Sequence, residues 1–317
     1  MSLYPLIPYT SRHIVGLVFA SLLATLCLVT PIHAQESSTQ RLVCCGADEV
    51  FVIDTANPHT KLWSWRVSDS PSIPQNFRPK FRSTDDCKPY ADGLMLITSS
   101  SRGVALIRRE TKRCIFLADV ANAHSACLLP ERQLAVAAST SGDEIQFFNY
   151  DDTSEAESVS AAVPTQRIEL LGAHGTVWDA ARERLWALGT DELLQIQDQR
   201  TGKAARAWTV VARYPLPSQG GHDLSPAHDA AHLWVTTNTQ VLRFNMDASS
   251  FETAEGFGDQ QKVKSVDAEP HSKRIVFQQA LPTEWWSHTI RFTDAPSITL
   301  DNQILYKVRW DAPAPRP

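Results

Sequence analysis

The sequence predicts an all-β chain folded as a six-bladed β-propeller, its ring closed by strands from both termini, on three observations. Short apolar runs with strand-like alternation recur along the chain, separated by turn-rich clusters, which marks a sandwich, barrel or propeller. A basic residue followed by an apolar pair repeats in register: in four units the second residue of the pair lies twelve after the basic one, His124 to Val136, His174 to Trp186, His222 to Trp234 and Lys264 to Val276. Finally, the stretches left at the two ends hold about three strands and one, the complement of a single four-stranded blade.

Residues 1–34 are set apart from that domain. Arg12, an apolar run over 14–29, Pro31 and the small Ala34 describe a secretory signal peptide cut after Ala34. A retained membrane anchor is the rival reading, because the run approaches the ~17-residue lower limit of a spanning helix. Pro31 and the lack of a flanking Lys/Arg cluster suit a signal better. A cleaved signal implies a periplasmic or secreted protein with no membrane attachment. Residues 35–311 form one domain, and 312–317, Ala-Pro-Ala-Pro-Arg-Pro, form a tail expected to be disordered or extended.

Within the domain, residues 41–45, 49–53 and 61–67 read as the first strands, and 94–98 and 104–108 as strands of the next unit. The unit of His174 shows the pattern most fully. A strand runs through Thr176-Val177-Trp178, a turn follows at 179–183, and strands cover 185–188, 193–197 and 207–211. Residues 241–244, 288–292 and 304–310 complete the later strands, while 151–164, rich in Ser, Glu and Ala, reads as a surface loop. The last four basic positions are 50, 48 and 42 residues apart, the length of one propeller blade. Trp178, Trp186 and Trp234 recur at strand positions and are expected to pack between blades.

A net charge of −5 excludes a general attraction to nucleic acid or anionic membranes. The five cysteines after residue 34 (Cys44, Cys45, Cys87, Cys114 and Cys127) have no zinc-ribbon spacing and read mostly as small core residues, one disulfide remaining open. No Gly-x-Ser-x-Gly elbow, phosphate-cradling glycine loop or His-Glu-x-x-His motif is present.

The repeated position carries the chemistry. In a radial repeat, equivalent positions converge on the axis, so Lys88, His124, His174, His222 and Lys264 are expected around one mouth of the channel, with Lys307 as a sixth member. Small neighbours such as Ala123, Ala173, Gly175 and Gly221 allow close backbone approach. Asp86, Asp179, Asp223 and Asp267 are placed to orient or balance the ring, with Asp223 beside the ligand. Three readings compete. Three imidazoles suit a divalent zinc, manganese, iron or copper ion. The same ring without metal suits a carboxylate, sulfate or phosphate. Alternatively, each histidine bonds nearby backbone and locks a blade junction. Trp285-Trp286 offers a platform for a sugar ring or stands as a core patch, and Tyr90 is a candidate base.

At Gly-Ala-His-Gly-Thr-Val-Trp-Asp (172–179), Gly-Gly-His-Asp-Leu (220–224) and Glu-Trp-Trp-Ser (284–287), the chain resembles a family of exported bacterial six-bladed propellers of unassigned activity. More distantly, its histidine-lined channel is similar to that of the oligogalacturonate lyase propellers, whose histidines hold a metal that binds a uronate carboxylate for β-elimination. Those enzymes have seven blades, so the likeness is architectural and carries no residue assignment.

The function these readings imply is an exported, monomeric propeller whose mouth binds an anionic small molecule or a uronate-type glycan. As an enzyme it would be a metal-assisted lyase. His124, His174 and His222 would hold the metal, Lys88 and Lys264 would meet the carboxylate, and Tyr90 or a free histidine would be the base. The competing expectation is a non-catalytic scaffold that holds a glycan or protein at its rim through Trp285 and Trp286.

Overall fold

The computed structural model describes residues 40–152, 158–200 and 206–317. The expected signal segment, 1–34, lies outside the described residues. The domain is a ring of six four-stranded antiparallel sheets. Blade 1 joins the two ends of the chain: its innermost strand is Leu305–Trp310, followed outward by Arg41–Gly46, Glu49–Asp54 and Asn57–Arg66. Blades 2 to 6 follow in chain order, their innermost strands being Thr84–Tyr90, Ala123–Leu129, Gly175–Asp179, Asp223–Pro226 and Val263–Ala268. Each innermost strand touches the next, so together they wall the axis.

The alternation read from the sequence explains this packing. Apolar side chains on the two faces of each blade enter six hydrophobic clusters, one at each blade junction. Trp186 and Trp234 are buried in the junctions of blades 4 and 5 and of blades 5 and 6, while Trp178 meets Trp208 at the junction of blades 3 and 4. All five described cysteines are buried and unpaired to one another by disulfide, as small core residues. Glycine is required where blades crowd the axis. A Cβ on Gly175 would lie 2.5 Å from Leu224 Cβ in the next blade, and one on Gly221 would lie 2.2 Å from the Gly189 carbonyl oxygen.

One irregularity of the innermost strands builds the site. Near the start of four of them, one residue is squeezed out of the ladder. The register skips it between Thr84 and Asp86, between Ala123 and Ser125, between Val263 and Ser265, and between Leu305 and Lys307. In blades 4 and 5, His174 and His222 precede the first paired residue and donate their amides to Leu188 and Thr236. A bulge of this kind re-aims one side chain away from the sheet face.

The tail, 312–317, runs extended against the end of blade 2. Ala314 donates to the Pro89 carbonyl and accepts from Ala91, and Asp311 takes a two-pronged bond from Arg109 at 2.6 and 2.9 Å. Arg316 then pairs with Asp92 and Asp152. Proline removes donors from this segment but leaves its carbonyls and the Ala314 amide free to bridge the end of the inner strand of blade 2.

Candidate functional site

The equivalent positions are Tyr306, Asp85, His124, His174, His222 and Lys264, in order around blades 1 to 6; four are bulge residues, and His174 and His222 stand just before the paired strand. This ring differs from the expected one at two places. Lys88 lies three residues deeper in its strand, and Lys307 lies one residue past the bulge. The register itself points to Asp85, since Ile97 lies twelve residues beyond it in an apolar run, although an acid there breaks the run of basic residues.

Neighbouring ring positions and the adjoining loops hold the ring residues. His124 Nδ1 lies 3.1 Å from Asp85 Oδ1 and 3.4 Å from the Tyr306 hydroxyl, and Asp85 in turn accepts from the Ser100 amide. His174 Nδ1 donates to the Gly172 carbonyl at 2.6 Å, with Ser139 Oγ at 3.2 Å. His222 Nε2 lies 2.8 Å from Asn238 Oδ1. Lys264 Nζ lies 2.9 Å from His222 Nε2 and 3.4 Å from Nδ1. With Nε2 donating to Asn238, only Nδ1, at 3.4 Å, can accept from the lysine, and the 2.9 Å approach to Nε2 sets two donors side by side.

These surroundings fix charge states. Burial, with His124 and His222 nearby, holds His174 well below the usual imidazole range. Burial and the Lys264 charge lower His222 to about 3, so both rings are neutral near pH 7. Burial, reinforced by Lys307 and Lys262, lowers Lys264 to about 8. Lys264 is only 8% exposed. Among the described residues, no carboxylate lies within ion-pair distance of its Nζ. The other buried lysine has one: Lys307 lies 2.9 Å from Asp223.

Below the ring the channel is filled. Arg309 sits between two carboxylates, bonding Asp86 at 2.9 and 3.2 Å and Asp223 at 3.1 and 2.6 Å. Burial would raise both acids, but Arg309 and Lys307 outweigh it and hold them below the ordinary carboxylate range. Lys88 bonds Ser125 Oγ at 3.0 Å and the Thr176 carbonyl at 2.8 Å, with Asp86 at 3.5 Å. The mouth therefore has a polar ring above an ion-paired floor.

Several expected site residues lie elsewhere. Asp223 belongs to the floor, committed to Arg309 and Lys307 rather than to a ligand. Tyr90 is buried at the junction of blades 2 and 3, where its hydroxyl accepts from the Leu128 amide, and it does not reach the ring. Asp179 pairs with Arg182, and Asp267 accepts from the Trp310 amide. Trp286 packs against His288, whereas Trp285, 44% exposed, stands edge-on to Tyr306 with ring centres 5.6 Å apart.

His124, His174 and His222 do come together, with neighbouring rings in contact. The His124 and His174 rings stack with centres 4.3 Å apart and planes 23° apart. Imidazole lone pairs lie in the ring plane, so near-parallel stacked rings aim them side by side rather than at one ion. Among the described residues, no group of three or more His, Cys, Asp or Glu side chains is placed to hold a metal. Shared coordination would require His174 to leave the stack and its Gly172 bond.

Residues 38–313 match the model of a family of unknown function, DUF6528. No curated protein matches the chain.

Proposed function

The chain belongs to the DUF6528 family of unknown function, so its reading rests on its own residues, and we propose that the mouth binds an anionic small molecule or uronate-type glycan. The observation that carries this is Lys264, a buried ammonium whose nearest polar neighbour is a neutral imidazole. A buried charge without a counter-charge is costly, and a ligand carboxylate would supply the missing partner through charge-assisted bonds. Beside it, the exposed Trp285 offers a flat apolar face of the kind on which a pyranose ring stacks. The same reading takes the chain to be exported, on the strength of the apolar run over 14–29.

Equilibrium titration with trigalacturonate, beside a neutral trisaccharide of similar size, tests the proposal. Binding of the acid alone, weakened tenfold or more by Lys264→Met and by Trp285→Ala, is expected. Equal binding of both sugars, or no effect of Lys264→Met, would instead favour a rim scaffold.

One observation favours a catalytic version. Asp85 holds the Nδ1 proton of His124, which leaves the Nε2 lone pair as a base. Facing a uronate whose carboxylate is met by Lys264, such a base would take the α-proton while the glycosidic oxygen leaves across the new double bond. Ultraviolet absorbance from an unsaturated product, lost in His124→Gln, is the expected sign; polyuronates left intact would remove the elimination reading and leave binding.

A further inference from the structure

We infer that Arg78 and Arg82, on the lip of blade 2, form a second anion site that takes a further carboxylate of the ligand held at the mouth. The ligand is then a polyuronate of several units and not a single sugar, an inference that rests on the anion-binding reading above. Residues 75–82 carry three basic side chains, Arg78, Lys80 and Arg82, in a chain whose net charge is −5. Most of this segment is a 3-10 helix, Gln75–Phe81, clamped in place by its apolar residues. Phe81 is fully buried and stands edge-on to Trp65 with ring centres 5.5 Å apart, and the half-buried Phe77 packs against the same cluster. Gly103, at the start of the third strand of blade 2, makes room for the helix: a Cβ there would lie 2.6 Å from the Lys80 carbonyl oxygen and 2.7 Å from the Phe81 ring. Arg82 is left exposed and Arg78 half-buried.

The neighbouring cations are already paired. Arg66 bonds Glu49 at 2.8 Å, Lys112 bonds Asp69 at 2.8 Å, and Asp119 is shared by Lys80 at 2.9 Å and Arg102 at 2.7 Å. Among the described residues, no carboxylate lies at ion-pair distance from Arg78 or Arg82, and the buried Arg78 Nε has no acceptor. Buried donors are nearly always bonded, and the acceptor a guanidinium fork matches best is a carboxylate, two oxygens to two N–H groups. The route from the mouth is short. Arg82 is three residues from the ring residue Asp85, at most about 11 Å of extended chain. That segment is pinned where the Ser83 carbonyl accepts from the Ser100 amide at 3.1 Å and from Ser99 Oγ at 2.6 Å. Around the mouth the order is Lys264 in blade 6, Trp285 against Tyr306 of blade 1, and Arg82 at the entry to blade 2. Charge, flat apolar face and charge in succession match a polyuronate, which repeats a pyranose ring and a carboxylate. Once one unit is held, capture of the next is intramolecular and adds affinity.

The full chain is titrated with digalacturonate and with hexagalacturonate at fixed ionic strength, as wild type, Arg78→Gln/Arg82→Gln and Arg41→Gln. Arg41 is exposed and lies in blade 1 beside the far end of the inner strand, so its variant reports on net charge alone. Expected in wild type is a hexamer bound about tenfold or more tighter than the dimer, a gain that the double variant removes while dimer affinity stays unchanged. The unchanged dimer also shows that the double variant folds, and Arg41→Gln should alter neither ligand. A hexamer bound no tighter than the dimer, a double variant that keeps the hexamer's advantage, or an equal loss in Arg41→Gln would overturn the inference and leave the mouth reading standing. Binding of neither length would overturn the mouth reading with it.

Discussion

Arg309 and Asp223 meet across the propeller axis through two hydrogen bonds, Nη1 to Oδ2 at 3.1 Å and Nη2 to Oδ1 at 2.6 Å. The same guanidinium forks to Asp86, so blades 1, 2 and 5 are tied at their innermost strands. Where six strands converge, their inward side chains have little access to water, and charges there must pair. That pairing sets an ion-paired floor beneath the mouth.

Arg309→Met should therefore be strongly destabilising. It leaves Asp86 and Asp223 buried with lysines as their only charged partners, and breaking a buried network on one side costs about 3–5 kcal/mol. Urea unfolding measures this; a loss below about 1 kcal/mol would show that the floor is not structural.

Acid should weaken the fold through the ring histidines. His222 has a folded pKa of about 3 against an ordinary value near 6.5, so between those values the unfolded chain binds the extra proton. Stability then falls as pH drops through that window. His174, shifted the same way, adds to the slope. The groups facing His222 are Lys264, His124, His174, Lys307 and Asn238. Asp267 opposes the trend: burial raises it to about 6, so the folded chain holds its proton longer and stability falls as pH rises from about 4 to 6. His222→Gln should flatten the acid side of a denaturation series; an unchanged slope would contradict the assignment.

Metal should be a minor component. Because the His124 and His174 rings are stacked, purified protein is expected to hold far less than one equivalent of zinc, manganese, iron or copper, and a chelator should not move its melting temperature. One tightly held equivalent, lost on replacing His124, His174 and His222 with alanine, would show that the rings rearrange to bind it.

The tail should matter for stability and not for the mouth. Removing residues 312–317 takes away the Ala314 bridge and the Arg316 pairs at the far end of the inner strand of blade 2. Expected is a loss of about 1–2 kcal/mol in unfolding with unchanged ligand affinity, since exposed pairs and single bonds are each worth about 1 kcal/mol or less.

The ring of six blades, the closure by both termini and the gathering of His124, His174, His222 and Lys264 were legible because each follows from spacing. Asp85 and Tyr306 were not, because the repeat conserves a backbone irregularity rather than a residue type; only the register of Asp85 with Ile97 betrays it. The floor was hidden for a different reason. Arg309 is 223 residues from Asp86 and 86 from Asp223, and local periodicity says nothing of which charges pair across an axis. The stacking of His124 on His174 likewise depends on side-chain bonds to Asp85 and Gly172, which position in the repeat does not determine.

The most direct test of the account is trigalacturonate affinity in wild type and Lys264→Met at about pH 6 and pH 9. With Lys264 at about 8, nearly all of it is charged at the lower pH and about one tenth at the higher. The account predicts binding at pH 6 that weakens about tenfold by pH 9 and is lost in the variant. Affinity that ignores both pH and Lys264 would contradict it.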